Sequence, residues 1–258
     1  MKYQNIRNFC YQLQKGFLEL VFPPEDQCPI CKQEKSKGHG LGARCLQKLS
    51  LVSGPICHKC GRPLRLEAVA SKLCQQCSNT SYYFEAARAV ALYEGALREY
   101  LAEFKYRFRP DLGAALGELL VEWIREHRDF QKVDLIVPIP IHPDKMRLRG
   151  YNQAELLAEP LKKYLGISLI NDIIIRRKLT ESQNALSKEE RFQNVSGAFQ
   201  VINTTRLKAA KVLLIDDIFT TGATASEAAR VLLRAGTLKV KVLTLATGLM
   251  DSQWFASD

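Results

Sequence analysis

Apolar residues in this chain fall into short runs that alternate with helical stripes. Ala86 to Leu92 (AARAVAL), Val133 to Val137 (VDLIV), Ile173 to Ile175, Val212 to Ile215 (VLLI) and Val240 to Leu245 are brief and nearly continuous, as strands buried on both faces require. Between them the pattern predicts helices over Gly95 to Tyr106 and Leu112 to His127, one running through Leu165, and one over Ala225 to Ala235. Strands and helices in alternation predict an α/β fold with a parallel sheet, whose ligands gather at the carboxyl ends of the strands. A separate stripe, Ile6, Phe9, Cys10, Leu13, Phe17, Leu20 and Val21, predicts a helix ending near Phe22-Pro23-Pro24. It reads first as core, although a membrane surface or a partner would meet the same stripe, and Cys10 lies on it as a packed thiol.

The run at Val212 passes directly into two carboxylates, Asp216 and Asp217, followed by Thr220, Thr221, Gly222, Ala223 and Thr224. A strand that turns through Gly and Thr into a helix presents free N–H groups and the positive end of a helix dipole, which suits a phosphate. Carboxylates would repel that phosphate, so the pair is read as serving sugar hydroxyls or a metal. The run at Val133 ends in Pro138-Ile139-Pro140-Ile141-His142-Pro143, whose prolines preset the backbone at the same edge. Lys145, Arg147, Arg149, Gly150, Tyr151, Asn152 and Gln153 follow as a cationic turn opening a helix. Such a turn suits a diphosphate, and a solvated charged face is the plainer alternative.

Two further stretches carry candidate chemistry. Arg176, Arg177 and Lys178 open a long polar segment with little apolar periodicity before Val195, the mark of a lid or an insertion. Arg176, Gln183, Arg191 and Asn194 are its candidate residues. In Phe104-Lys105-Tyr106-Arg107-Phe108-Arg109, aromatic and basic residues alternate. That pattern fits stacking on unpaired bases with cations tracking phosphates, and equally a helix end with cations snorkelling over core aromatics.

Seven of the eight cysteines fall within 50 residues: Cys28 and Cys31, Cys45, Cys57 and Cys60, Cys74 and Cys77. In a cytosolic chain the Cys-x2-Cys knuckles argue for zinc rather than disulfides. Two knuckles complete a tetrahedral shell, which Cys57, Cys60, Cys74 and Cys77 supply in full. Cys28, Cys31 and Cys45 lack a fourth ligand. His39 is the nearest candidate, His58 reads as a surface residue, and interleaved pairing of the two sets stays open. Zinc here would be structural, holding a core-poor segment together.

The 258 residues are 47% hydrophobic, enough for a sizeable core, with a formal net charge of +10. Residues 1–80 hold 12 Lys/Arg against 5 Asp/Glu. That excess predicts an acidic partner, although thiolate-bound zinc, at roughly −2 per four-Cys site, offsets part of it. No apolar run reaches the roughly 20 residues of a membrane helix, and the polar Met1 to Arg7 is unlike a signal peptide, so a cytoplasmic protein is expected.

The layout resembles the ComF/ComFC family of competence proteins. The resemblance is carried by FPP, the cysteine knuckles, CGRPL (60–64), LYEG (92–95), VPIPIHP (137–143), RLRGYNQAELLA (147–158), NVSGAF (194–199) and VLLIDDIFTTGATASE (212–227). Gly42 departs from it, standing where a cysteine would pair with Cys45. The resemblance implies residues 1–80 as an N-terminal helix with a double zinc ribbon-like module, and residues 81–258 as a type I phosphoribosyltransferase-like domain. It further implies phosphoribosyl pyrophosphate (PRPP) and magnesium as ligands. Asp216 and Asp217 would hold the ribose hydroxyls as the catalytic pair, residues 220–224 the 5′-phosphate, and the Ile139-Pro140 loop the diphosphate with His142, Arg147 and Arg149. A role in DNA uptake during natural transformation, with single-stranded DNA and a helicase as partners, follows from the same resemblance. Thr220 stands where purine-specific relatives carry an aspartate, which disfavours a purine acceptor. Transfer of the phosphoribosyl group and a scaffold that binds without turnover are both left open.

Overall fold

The computed structural model describes residues 27–36, 40–65, 68–178 and 188–248; the predicted N-terminal helix with Cys10, and His39 and Gln183, lie outside them. Strands β1 (Ala86–Leu92), β2 (Leu135–Pro138), β3 (Ser168–Leu169), β6 (Lys211–Phe219) and β7 (Lys239–Thr247) form a parallel sheet in the order β1-β7-β6-β2-β3. The expected α/β fold with a parallel sheet and a Cys-rich N-terminal module is what the chain adopts.

Both faces of the sheet are covered, which explains the unbroken apolar runs. Along β6, Leu213 and Ile215 join one core cluster while Val212 and Leu214 join the other, and Leu243 and Leu245 alternate with Val240 and Val242 along β7. The first cluster is closed by helices α3 (Gly95–Tyr106), α4 (Leu112–Glu126) and α7 (Gln153–Leu165), through Leu97, Leu101, Leu116 and Leu157. The second is closed by α9 (Ala223–Arg234) and by the cysteines from Cys57 to Cys77. Helix α1 (Ala43–Gln47) and helix α2 (Gln75–Ser78) each carry one cysteine of a knuckle, Cys45 and Cys77. Helix α5 (Arg128–Gln131) joins α4 to β2.

The Cys-rich module also protects the sheet. Residues 50–52 run antiparallel along β1, with Val52 N–H donating to Val90 at 2.9 Å and Leu92 N–H to Ser50 at 2.8 Å. An exposed edge strand is a template for unwanted pairing, and here it is occupied within the chain.

The structure corrects the sequence reading in several places. The strand expected at Ile173–Ile175 is β4 (Ile174–Arg176), and it stands outside the parallel sheet, pairing antiparallel with β5 (Phe199–Val201). The strand expected to end at Ile215 continues through the acid pair to Phe219, because β7 offers partners as far as Thr247. Ala223 and Thr224 are the first residues of α9 rather than loop, and the cationic turn is a helix, α6 (Pro143–Arg149). Part of the polar segment is also helical, as α8 (Lys188–Val195).

Candidate functional site

Strands β6 and β2 deliver their ends side by side. Ile139 N–H donates to Ile215 at 2.9 Å, so the proline loop is stitched to the strand that carries the acid pair. Asn152 fixes the loop from behind: its Nδ2 donates to Ile139 at 3.1 Å while its Oδ1 caps α7 through Ala154 N–H at 3.2 Å. His142 caps α6: its Nδ1 accepts from Asp144 N–H at 3.2 Å and lies 3.3 Å from Asp144 Oδ2. Pro143 at the first helical position and Gly150 in the left-handed region (φ 77°) start and stop that helix.

At the acid pair, Asp217 N–H donates to Asp216 Oδ1 at 2.9 Å. Burial first, and the charge on Asp217 second, push the Asp216 carboxyl up to about 7. Lys105, from the last turn of α3, places Nζ 2.7 Å from Asp217 Oδ2. Reading Phe104 to Arg109 as a run of alternating contacts missed this: Lys105 turns inward, while Tyr106 (74%) and Phe108 (69%) stand in solvent. The signal was available. Leu97, Leu101, Phe104 and Lys105 share one helical stripe, and a cation on a buried stripe demands a buried partner.

Further cations gather around Arg176 and Lys105, the two that act on the pair. The Lys145 ammonium is held below its usual range, mainly by burial, then by the charges of Arg176, Arg149 and Lys105. Arg176, on β4, interacts with Asp216 and lies over the Phe199 ring at 5.4 Å. Arg149 Nη1 donates to Gln153 Oε1 at 3.1 Å, and its guanidinium lies 5.3 Å from the centre of the Tyr106 ring. Arg147 stands apart from these groups, largely exposed and paired with Asp144. Arg191 is buried, with Arg62 nearby, and Asn194 belongs to the same helix, α8.

Thr220 and Thr221 are partly exposed at the top of β6, and Gly222 follows with φ 79°. Only glycine fits there: a Cβ would lie 2.6 Å from Phe219 Cζ and 2.9 Å from Tyr82 Cε1. Ala223 and Thr224 open α9, where Ala223 N–H makes a long bond to Thr221 Oγ1 at 3.4 Å; the first N–H groups of a helix have no intrahelical acceptor and suit an anion. The loop is anchored from the Cys-rich module. Thr221 O accepts from Gln76 Nε2 and from the Tyr82 hydroxyl, both at 2.8 Å, and Gln76 Oε1 accepts from Arg62 at 2.6 Å. Gln76 sits between Cys74 and Cys77, and no pattern in the sequence reaches across the 145 residues to Thr221.

The cysteines form two separate groups, Cys57 with Cys60, Cys74 and Cys77, and Cys28 with Cys31 and Cys45, with the sulfurs of each group within 4.8 Å of one another. Interleaved pairing is thereby excluded. The Cys60 and Cys74 sulfurs lie 3.6 Å apart, close to the roughly 3.8 Å edge of a tetrahedron with Zn–S bonds of about 2.3 Å. In the three-sulfur group, the backbone N–H groups of Gln33 and Glu34 hold the Cys31 thiol down at about 7, favouring the thiolate a metal needs. The space beside Gly42 is taken by Glu34, whose Oε2 would lie 2.7 Å from a Cβ at that position and accepts from Arg44 N–H at 3.0 Å. His58 is exposed. Among the described residues no helix is long and apolar enough to cross a membrane.

Comparison with known proteins agrees with this layout. Residues 17–78 match the double zinc ribbon domain, which together with the cysteine geometry assigns structural zinc to the module. The DNA utilization protein YhgH of Salmonella typhimurium is 30% identical over 86% of this chain and 97% of its own length. Competence protein ComFC of Bacillus subtilis is 31% identical over 74% of this chain and 77% of its own. Among solved structures, a purine phosphoribosyltransferase from Pyrococcus horikoshii aligns with 53% of this chain and 74% of its own at 20% identity, with a TM-score of 0.34. With its double zinc ribbon and relatives matched over most of both chains, the protein belongs to the ComF/ComFC family of competence and DNA utilization proteins.

Proposed function

We propose that this protein acts in DNA uptake as a PRPP-binding phosphoribosyltransferase that also contacts single-stranded DNA. The observation that carries the reading is the partly buried acid pair with the Lys105 ammonium and the Arg176 charge beside it, Lys145 and Arg149 near Arg176, and a glycine-hinged helix start at the end of the same strand. Asp216 and Asp217 would accept from the ribose 2′ and 3′ hydroxyls. N–H groups from Thr221 to Thr224 would receive the 5′-phosphate, as helix starts do. The diphosphate would lie along the Ile139-Pro140 loop, meeting His142, Lys145, Arg149 and Arg176, with the exposed Arg147 able to swing in. Magnesium bound with the diphosphate would offset its charge and ease its departure from ribose C1. The protein's own share is positioning and charge stabilisation of an oxocarbenium-like transition state, with segment 176–195 closing over the site to exclude water. The lid in this reading includes Gln183, Arg191 and Asn194.

Tyr106, Phe108, Arg149 and the exposed Leu148 lie beside this site and suit unpaired bases and phosphates. The relatives' names, competence protein and DNA utilization protein, support a role with DNA. A competence helicase as a further partner and the cytoplasm as the location belong to the same proposal, and the acceptor is left open.

Calorimetric titration of Mg-PRPP into the wild type and into Asp216→Asn/Asp217→Asn tests the binding. Heat in the wild type, lost in the double variant, is expected; no heat in the wild type would sink the proposal. Binding without diphosphate release in the presence of single-stranded DNA would reduce the protein to a scaffold.

A further inference from the structure

We infer that Lys105 is a specificity-determining residue of the acid pair, a built-in counter-ion that reserves Asp216 and Asp217 for hydroxyl groups and keeps divalent cations from coordinating them directly. Two adjacent carboxylates at a strand end would ordinarily attract a metal. Here Lys105 Nζ already lies 2.7 Å from Asp217 Oδ2, with both side chains about 15% exposed or less. The ammonium cannot easily retreat. Leu97, Leu101 and Phe104 bury the rest of that helical stripe, and Phe104 stacks on Tyr151, whose hydroxyl donates to Phe104 O. Arg176 supplies a second positive charge, on the Asp216 side, so the pair is close to neutral as it stands.

A divalent ion reaching these carboxylates would meet Lys105 within a few ångströms, and even at an effective dielectric constant of about 20 that repulsion lowers affinity by more than tenfold. A sugar diol carries no net charge. Asp217 still has lone pairs to accept from it, since one carboxylate offers about four acceptor positions. The inference rests on the sugar-binding reading of this site, and it keeps magnesium off the two carboxylates.

The test uses Mn²⁺ alone as probe, followed by electron paramagnetic resonance, with the full-length zinc-loaded chain. Wild type is expected to show no Mn²⁺ site that Asp216→Asn/Asp217→Asn removes. Lys105→Gln, or Lys105→Met if Gln fails to fold, should gain a site at least tenfold tighter, which Asp217→Asn abolishes; Lys105→Arg, which keeps the charge, should not gain it. Tight wild-type binding lost in Asp216→Asn/Asp217→Asn would overturn the inference, as would a gain that survives Asp217→Asn. Because PRPP takes no part, its failure to bind would defeat the proposed function and leave this result standing.

Discussion

Replacing Asp216 with Asn should make the protein more stable while abolishing the proposed PRPP binding. The Asp216 carboxyl sits at about 7 against an ordinary 3.8, because burial and the neighbouring Asp217 both oppose its charge. An acid with a raised native pKa holds its proton longer folded than unfolded. Wild type is therefore most stable, with respect to this group, below pH 4, and loses stability as pH rises through about 7. The shift is about 3 units, and at 1.36 kcal/mol per unit the ionised carboxylate costs about 4 kcal/mol at pH 8, as an order of magnitude. Asn carries no charge, and its carboxamide oxygen can keep the bond from Asp217 N–H. Urea denaturation of both proteins, zinc-saturated, at pH 5.5 and pH 8 measures the difference. The variant should lead at both, and its lead should widen by about 2 kcal/mol between them. A lead that does not change with pH, or a variant less stable than wild type at pH 8, would refute the account of a strained buried carboxylate.

Gly222→Ala should cost about 1–3 kcal/mol of stability, from the left-handed backbone and the contact with Phe219, and weaken Mg-PRPP binding by calorimetry. Plasma emission on the purified chain should find two zinc ions; Cys57→Ser should lose one, with a lower melting temperature, and a wild type with a single zinc would reject the three-sulfur group as a site. For DNA, Tyr106→Ala and Phe108→Ala should each weaken single-strand affinity by about 1–3 kcal/mol without changing its salt dependence, whereas Arg149→Gln should flatten that dependence. Fluorescence anisotropy against salt separates the two outcomes. Gln76→Ala should weaken Mg-PRPP binding while leaving the zinc count at its wild-type value, because it removes a bond to Thr221 O but no metal ligand.

What the sequence revealed depended on how local its cause was. Strands β1, β2, β6 and β7 were readable because their apolar runs are buried on both faces, whereas the two-residue edge strand β3, exposed at Ser168, carried no such run and was missed. The acid pair was readable because it adjoins its loop in the chain. Helix α6 was missed although His142-Pro143 and Gly150 mark both of its ends, since its seven residues carry no apolar stripe to draw the eye. Strand β4 was assigned to the wrong sheet because three residues of strand pattern say nothing about their partner, and the antiparallel pairing with Phe199–Val201 is set by the surrounding tertiary structure. Gln76 was hidden for a different reason, and so was the partner of Lys105, whose inward stripe alone was legible: each contact spans over a hundred positions, across elements whose packing no single-sequence period encodes.

The double contact of Gln76 and Tyr82 with Thr221 O makes the zinc knuckle and the proposed phosphate loop partners in one equilibrium. Coupling between two binding events is reciprocal. If zinc orders the loop and so favours the ligand, the ligand must by the same factor slow the escape of zinc. Chelators would then strip the metal faster from the free protein than from the loaded one, and a cell short of zinc would lose occupancy of the proposed PRPP site before it lost the fold.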